Sequence, residues 1–390
     1  MGSLFYPEEK LIMREKFIPV CEPYLAGNEI KYVMDAVETG WISSSGKYIS
    51  EFEKAFAGYC GVKHGIAVSN GTVALHLALV ALGVGKGDEV IIPNFTMIAT
   101  AFAVCYTGAL PVFVDAEKET WNIDVSKIEE KITERTKVIL PVHIYGHPCE
   151  MEAINIIAKK YNLRVLEDAA EVHGAEYNGK KCGSLGDIAA FSFFANKIAT
   201  TGEGGMVVTD DDALAEKCRY YKNLCFPMNG NRNYQHDQIG FNYRMSNLHA
   251  ALGLAQTEKL DYYVGKRIAN NNLYRKYLKD VPGIIFSNDK VSVKNVYWMN
   301  GIVIDKEKFG ISRDELILKL KEQGIDTRLF FAGMNKQRSL IDFGCDCIDN
   351  YHVSDWLSEN GLYLPSGSNL TEEQIRTVCE AIKNLAIQIK

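Results

Sequence analysis

Residues 188–209 read IAAFSFFANKIATTGEGGMVVT, and this stretch indicates how the larger part of the chain folds. Two apolar runs, Ile188–Phe193 and Met206–Thr209, flank a loop of small residues and glycines that carries Lys197. Runs that are apolar at nearly every position are typical of strands buried on both faces of a sheet. Lysine is rarely buried, so Lys197 taken alone would be interpreted as a solvated surface residue.

The same pattern continues toward the N-terminus. From Gly65 to Asp210, short apolar runs alternate with helical stretches, which predicts an α/β fold with a mostly parallel central sheet and helices on both faces. The further predicted strands are Gly65–Ser69, Glu89–Pro93, Pro111–Asp115, Val138–His143 and Arg164–Glu167. The helices predicted between them include Thr72–Leu82, Ile98–Tyr106 and Met151–Tyr161.

The pattern of apolar and polar residues changes after Ser246. Long amphipathic helices follow, and the last part of the chain mixes strand patterns such as YWMNGIVI with helical ones. A chain of 390 residues is long enough for two domains. We therefore expect a large α/β domain over residues 14–258 and a smaller C-terminal α+β domain over residues 259–390.

Composition excludes several classes of protein. Hydrophobic residues make up 47% and charged residues 24%, as in ordinary globular proteins. The formal charge of -6 argues against a nucleic-acid partner, and no apolar run approaches the length of a membrane span. The N-terminus does not resemble a signal peptide, and the ten cysteines are scattered without zinc-site spacing. The sequence predicts a cytoplasmic protein with no metal site and no membrane partner.

Polar residues follow several of the predicted strands. Ligands of open α/β sheets bind beyond the carboxyl ends of the strands. Ser69–Thr72 lead directly into a helix, whose N-terminus can hold a phosphate, although these residue types are also ordinary helix caps. Asp168 ends the fifth strand, and Glu171 follows it. Together with Lys197, these residues form the set that pyridoxal 5'-phosphate (PLP) needs: an amine for the Schiff base, a carboxylate for the pyridine nitrogen and donors for the phosphate.

Six longer motifs carry a resemblance to a known family. They are GWISSSGKYISEFE (40–53), VSNGTVALHLAL (68–79), PVHIYGHPCEM (141–151), EDAAEVHGAEYNGKKCGSLGD (167–187), FSFFANKIATTGEGGMVVTDD (191–211) and GFNYRMSNLHAALGLAQ (240–256). With these motifs the chain resembles the DegT/DnrJ/EryC1/StrS family of sugar aminotransferases over nearly its whole length, and within it the GDP-perosamine synthases. The resemblance implies the aspartate-aminotransferase fold, PLP fold type I.

The resemblance also implies roles for individual residues. Lys197 would form the Schiff base and move protons during catalysis, Asp168 would pair with the pyridine nitrogen, and Glu171 would meet the ring hydroxyl, where many relatives have Gln. The positions that match the phosphate site are Gly71, Thr72, Ser192 and Asn242. Because the residue at the position of Asn242 reaches the phosphate of the neighbouring subunit, the resemblance implies a homodimer with shared active sites.

Other positions match the family's substrate region or depart from its pattern. Trp41, Ser43 and Ser44 match a segment near the substrate, and His143 and Tyr145 follow a strand in the same region; simple packing and turn formation remain alternative roles for all five. Met97 occupies a position where many relatives stack an aromatic ring on PLP, and a thioether can also pack there.

The segment TRLFFAGMNKQRSL (327–340) departs from the family more strongly. Asn335 and Arg338 stand where a His and a Pro are common. Arg328 and Arg338 are candidate substrate-binding residues; Arg338 would either meet a phosphate or be an exposed surface charge.

Several functions remain open at this stage. The first is transfer of the amino group of L-glutamate to a nucleotide-linked 4-keto-6-deoxy sugar for surface polysaccharide biosynthesis. The second keeps the donor but uses a small phosphorylated ketone such as dihydroxyacetone phosphate, which the departures at Asn335 and Arg338 motivate. The dehydratase branch of the family carries His at the Schiff-base position, unlike Lys197, and a non-catalytic scaffold would not need Lys197 together with Asp168.

Overall fold

A seven-stranded sheet forms the centre of the computed structural model, which describes residues 17–227 and 234–386. The predicted domain start at residue 14 lies outside the described residues. The strands follow the order β1-β9-β8-β5-β4-β2-β3. Their bounds are His64–Val68 (β1), Glu89–Pro93 (β2), Leu110–Val114 (β3), Thr136–Ile139 (β4), Arg164–Asp168 (β5), Ile188–Ser192 (β8) and Gly205–Thr209 (β9).

One strand of this sheet runs against the others. β9 is antiparallel to both β1 and β8, whereas the other neighbouring pairs are parallel. The loop that carries Lys197 returns directly beside β8, with Phe193 N–H donating to Gly204 O and Thr201 N–H to Phe193 O. A direct return makes the next strand antiparallel, since a parallel neighbour requires a crossover connection. The predicted fold class, a mostly parallel sheet, is confirmed.

The fourth strand is shorter than the sequence indicates. The predicted strand Val138–His143 pairs in the sheet only as far as Ile139, and Val142 then makes an isolated bridge to Asp168. Pro141 has no N–H to donate and interrupts the ladder. A short 3-10 turn, Ile144–Gly146, follows.

Helices cover the sheet on both sides. They are α1 Glu29–Glu38, α2 Lys47–Cys60, α3 Gly71–Ala81, α4 Ile98–Tyr106, α5 Met151–Tyr161, α6 Asp212–Lys222 and α7 Asn247–Glu258. Short 3-10 turns at Val125–Lys127 and Glu129–Lys131 follow β3. α3 and α4 are apolar on nearly every face. α3 packs on β8, β9 and α4, and α4 packs in addition on β2 and β3, so both helices are enclosed by other elements.

A second, four-stranded antiparallel sheet forms from the C-terminal part in the order β10-β12-β14-β13. Its strands are Ile284–Ile285 (β10), Asn300–Ile304 (β12), Arg328–Leu329 (β13) and Gly361–Leu364 (β14); a small sheet joins Glu176–Tyr177 (β6), Lys180–Lys181 (β7) and Val293–Lys294 (β11). The helices are Leu260–Leu278 (α8), Lys306–Phe309 (α9), Arg313–Glu322 (α10), Arg338–Phe343 (α11), His352–Asn360 (α12) and Glu372–Leu385 (α13), with a 3-10 turn at Met334–Lys336.

The long helix α8 contributes to two hydrophobic clusters. Its first turns, with Leu260 and Tyr263, pack in the core around the central sheet, and its end, with Tyr274 and Leu278, packs against the C-terminal sheet and α13. The division at residue 258 stays a prediction. No helix in residues 17–227 or 234–386 is both long and apolar enough to cross a membrane.

Candidate active site

A cavity of 730 Å³ lies beyond the carboxyl ends of the central strands. The sequence-predicted residues that line it are Gly71, Thr72, Met97, Asp168, Glu171, Ser192 and Lys197. They come from the ends of β1, β2, β5 and β8 and from the loops that follow these strands. Parallel strands bring these ends to one edge of the sheet, so residues far apart in the sequence become neighbours.

The start of α3 forms a cradle for an anion. Asn70 caps the helix, since its side chain accepts from Val73 N–H (3.0 Å) and its carbonyl from Ala74 N–H (3.1 Å). This leaves the N–H groups of Gly71 and Thr72 without a partner in the part of the chain that the structure describes. A Cβ at Gly71 would lie 2.6 Å from the Cβ of Ser192, so glycine is required for this close approach. Free amides beside a hydroxyl at a helix N-terminus are a phosphate-binding arrangement.

Asp168 presents a carboxylate to the same cavity. Thr100 Oγ1 donates to its Oδ2 (2.8 Å), and Ala170 N–H donates to its Oδ1 (3.2 Å). Burial raises the pKa of Asp168, while these two donors and the positive charge of Lys197 act in the opposite direction. The carboxylate is therefore oriented and partly stabilised, and a cationic ring nitrogen would complete its pairing.

Lys197 and Glu171 form a buried pair of opposite charge. Lys197 Nζ lies 4.0 Å from Glu171 Oε1, and Tyr145 N–H donates to Glu171 Oε2 (2.7 Å). Burial lowers the pKa of Lys197, although Glu171 and Asp168 oppose this. Burial raises the pKa of Glu171 to about 7, against the effect of Lys197. Burial therefore brings the pKa values of the two groups closer together, and perturbed pKa values of this kind are typical of groups that transfer protons.

We expect Glu171→Gln to remove part of the pH dependence of stability. A folded-state pKa of about 7, above the ordinary 4.5, means that the contribution of Glu171 is fully present at low pH and is lost as pH rises through 7. Between pH 5 and 8 the wild-type free energy of unfolding should fall, relative to the variant, by up to about 3 kcal/mol. Urea denaturation of the cofactor-free protein at several pH values measures this.

The control for this experiment is Glu51→Gln, since Glu51 is exposed on α2. It should leave the slope of stability against pH as in the wild type. Equal slopes for wild type and Glu171→Gln would contradict the assignment of this titration to Glu171.

One wall of the cavity comes from the C-terminal part of the chain. Trp298, Phe331 and Tyr363 line it, and none of them was predicted from the sequence. They lie in or beside apolar stretches that indicate only a buried core. For Phe331 the sequence does contain one indication of a site residue, because Phe331 lies within the segment 327–340, where the chain departs from its family's pattern.

Asn335 explains how this wall is held against the sheet. Asn94 Nδ2 donates to Asn335 Oδ1 (3.0 Å), and Asn335 N–H donates back to Asn94 Oδ1 (2.9 Å). Met334 N–H adds a bond to Asn94 O (2.8 Å), and Phe331 N–H donates to Tyr145 Oη (3.3 Å). Reciprocal hydrogen bonds between a buried Asn94 and a partly buried Asn335 favour one arrangement of the backbone. The departure at Asn335 therefore anchors the segment that carries Phe331.

A profile of the DegT/DnrJ/EryC1/StrS aminotransferase family matches residues 23–383. The chain belongs to this family. The resemblance stated from the sequence motifs is thereby confirmed, and the protein is an aminotransferase.

Named relatives of this aminotransferase align over almost their full length. The GDP-perosamine synthase of Caulobacter vibrioides is 46% identical over 371 residues, which cover 95% of this chain and 98% of the relative. That of Escherichia coli O157:H7 is 44% identical and covers 94% and 98%, respectively. Among solved structures, DesI in the presence of its TDP-sugar product is 31% identical, with a TM-score of 0.86 and coverage of 95% of this chain and 93% of DesI.

His143, a predicted substrate contact of the aminotransferase, lies in the core of the described chain. Its ring is fully buried and does not line the cavity. His143 Nδ1 accepts from Cys149 N–H (2.9 Å), and Nε2 lies 3.1 Å from Glu167 Oε2. Cys182 lies close enough to His143 and Glu167 for the three side chains to ligate a metal ion. However, both nitrogens of the His143 ring already take part in the hydrogen bonds given above. The carboxylate of Glu167 also accepts from the N–H groups of Gly183, Leu185 and Gly186.

Tyr145 also lies behind the cavity wall and does not line it. Its backbone holds Glu171 and its hydroxyl accepts from Phe331 N–H, in a left-handed conformation with φ 52°. In this chain Tyr145 supports two residues that do line the cavity, and its direct contact with substrate stays a prediction.

The remaining predicted residues lie outside this cavity in a single chain. Asn247 binds the carbonyl oxygens of Trp41 (2.6 Å from Nδ2) and Ser43 (2.6 Å from N–H), so these residues hold the α1–α2 turn.

The other predicted positions pair with neighbouring side chains. Arg328 pairs with Asp326. Arg338 is 85% exposed and pairs with Asp342 one helical turn away, as the second of its two predicted roles, an exposed surface charge, would require. Asn242 Oδ1 accepts from Arg244 Nε (3.1 Å) and Nη2 (2.7 Å).

Proposed function

We propose that this aminotransferase binds PLP in the 730 Å³ cavity and moves the amino group of L-glutamate to a nucleotide-linked 4-keto-6-deoxy sugar, as in GDP-perosamine formation for surface polysaccharides. The observation that carries the proposal is the convergence of the Lys197 amine, the Asp168 carboxylate and the Gly71–Ser192 cradle in one cavity. The names of the full-length relatives support the choice of acceptor.

The residues present fit PLP. The N–H groups of Gly71 and Thr72 and the hydroxyl of Ser192 would hold its phosphate, because the cradle admits no Cβ and leaves these donors free. Asp168 would pair with the pyridine nitrogen, and Lys197 would bind the aldehyde carbon. Met97, which caps α4 at the cavity, would pack on the ring, and Glu171 would meet the ring hydroxyl. When bound, PLP supplies an electron sink that acidifies the carbon bearing the amine.

Lys197 has the properties of a proton carrier for both half-reactions. Burial lowers its pKa and so favours the neutral amine, which can accept a proton, and the resulting ammonium can return it. Glu171, 4.0 Å away, stabilises the ammonium while it exists. Phe331, Trp298 and Tyr363 exclude water from one side of the cavity.

We further propose a homodimer with shared active sites. Asn242 lies outside this chain's own cavity, which is compatible with a role in the site of a second copy. Ile30, Met34 and Val37 form an exposed apolar stripe on α1 at helical spacing, and the exposed Trp41 and Ile42 follow in sequence. An apolar stripe of this kind is typical of a surface that a second subunit covers.

The structure does not support the reason for considering the competing acceptor, a small phosphorylated ketone. Arg338 points to solvent and Asn335 is bound to Asn94, so neither provides a phosphate site in the cavity. The cavity volume of 730 Å³ falls in the range of sites for larger ligands.

The assay that tests the function supplies PLP and L-glutamate to the purified protein and follows the absorbance spectrum. GDP-4-keto-6-deoxymannose is then added, and products are identified by mass spectrometry. We expect a spectral change with glutamate and then an amino sugar nucleotide. Aminated dihydroxyacetone phosphate in a parallel reaction, with no amino sugar, would overturn the proposed acceptor, and no spectral change would overturn the glutamate half-reaction.

A further inference from the structure

Trp298 makes two contacts with the segment that carries Lys197. Lys197 Nζ lies 3.8 Å from the centroid of the Trp298 ring. The indole N–H of Trp298 donates to the backbone carbonyl of Asn196 (2.8 Å), the residue that precedes the lysine. Trp298 is 3% exposed and lies just before β12, so the C-terminal part of the chain reaches the lysine directly.

A hydrogen bond from Arg267 fixes the position of Trp298. Buried Arg267 on α8 donates from Nη1 to the Trp298 carbonyl (2.9 Å) and from Nε to Ser368 Oγ (2.9 Å). Its Nη2 donates to Cys21 Sγ (3.3 Å), whose thiol contacts the Asn196 carbonyl (3.4 Å). The ring and the lysine segment therefore belong to one hydrogen-bonded unit.

Several groups of different character act on the Lys197 amine. The carboxylates of Glu171 and Asp168 favour its ammonium form, as does the Cys21 thiol when ionised; buried His173 lies near enough to interact electrostatically, and burial favours the neutral amine. The negative face of an indole stabilises a cation above it. Trp298 cannot carry a charge, so its removal tests the aromatic contribution without changing the local charge.

We propose that Trp298 is a positioning residue that holds the Lys197 amine in the cavity and favours its ammonium form over the neutral amine. The inference rests on the proposed role of Lys197 as the proton carrier and names the residue that adjusts that role. If Trp298 acted only by excluding water, its removal would let water reach the amine and would favour the ammonium form. The two roles therefore predict opposite shifts.

Competitive labelling measures the protonation of this one amine. The cofactor-free, full-length protein is treated with limiting acetic anhydride between pH 6 and 11, and acetylation of the Lys197 peptide is quantified by mass spectrometry. We expect Trp298→Leu to lower the apparent pKa of Lys197 by about 0.5 to 1.5 units. Trp298→Phe, which keeps a smaller ring and loses the N–H, should lower it by less.

The matched control is Trp356→Leu. The Trp356 ring lies 5.3 Å from Lys118 Nζ and does not line the cavity, so this variant should leave the pKa of Lys197 unchanged. An unchanged or raised pKa in Trp298→Leu overturns the proposal; if that variant does not fold, the direction of the shift in Trp298→Phe decides. The labelling needs no cofactor, donor or acceptor, so its failure and the failure of the proposed function are separate results.

Discussion

Lys197→Ala should lower kcat/KM for amino sugar formation by about 10⁴-fold or more, because it would remove both the proposed covalent attachment of PLP and the proposed proton carrier. Lys197 is the one lysine that lines the cavity within residues 17–227 and 234–386, so no neighbouring amine can replace it. Initial rates measured by mass spectrometry of the product test this expectation.

The matched control for this prediction is Lys180→Ala. Lys180 is exposed on β7 and does not line the cavity, so its removal should leave kcat/KM unchanged. Loss of acid–base catalysis alone lowers a rate by about 10²- to 10⁴-fold. A folded Lys197→Ala protein that keeps more than about 1% of the wild-type activity would therefore contradict the assignment. Addition of a small primary amine should restore part of the lost rate, since it supplies the missing proton acceptor.

Asp168→Asn should lower kcat by about 10²- to 10³-fold with little effect on folding. An amide of the same shape can still accept from Thr100 Oγ1, but it carries no charge to hold a pyridine nitrogen in its protonated form. The electron sink is then weakened although PLP can still bind. Steady-state kinetics together with the absorbance of the bound cofactor separate loss of turnover from loss of binding.

Asp115→Asn provides a control of matched chemistry. Asp115 directly follows β3 at the same edge of the sheet and is equally buried, but it accepts from Val353 N–H, Ser354 N–H and Ser354 Oγ. Its replacement should lower the free energy of unfolding and leave kcat of the folded fraction unchanged. If both variants lost turnover to the same extent, the specific role of Asp168 would be refuted.

The residues that the sequence located best are those whose position depends on one strand end. Asp168 and Lys197 follow buried apolar runs, and the carboxyl ends of parallel strands must meet at one edge of the sheet. The structure brings them into one cavity for this reason. Their chemical roles stay predictions that the variants above address.

The residues that the sequence missed depend on tertiary contacts. Trp298, Phe331 and Tyr363 lie in or beside apolar stretches whose pattern indicates burial but does not specify a partner. His143 shows a different limit of the same reasoning. It follows a strand, as a site residue would, but a strand end does not specify the direction of the side chain, and Cys149 and Glu167 hold its ring in the core.

The reciprocal bonds between Asn94 and Asn335 join residues 241 positions apart, and this separation has a consequence during synthesis on the ribosome. The sheet strands and Lys197 emerge well before Trp298, Phe331 and Tyr363. At about 5 to 20 residues per second, Tyr363 follows Thr209 after roughly 8 to 30 seconds. Until Tyr363 has emerged, the nascent chain carries the amine of Lys197 without the complete aromatic wall that lines the cavity in the folded protein.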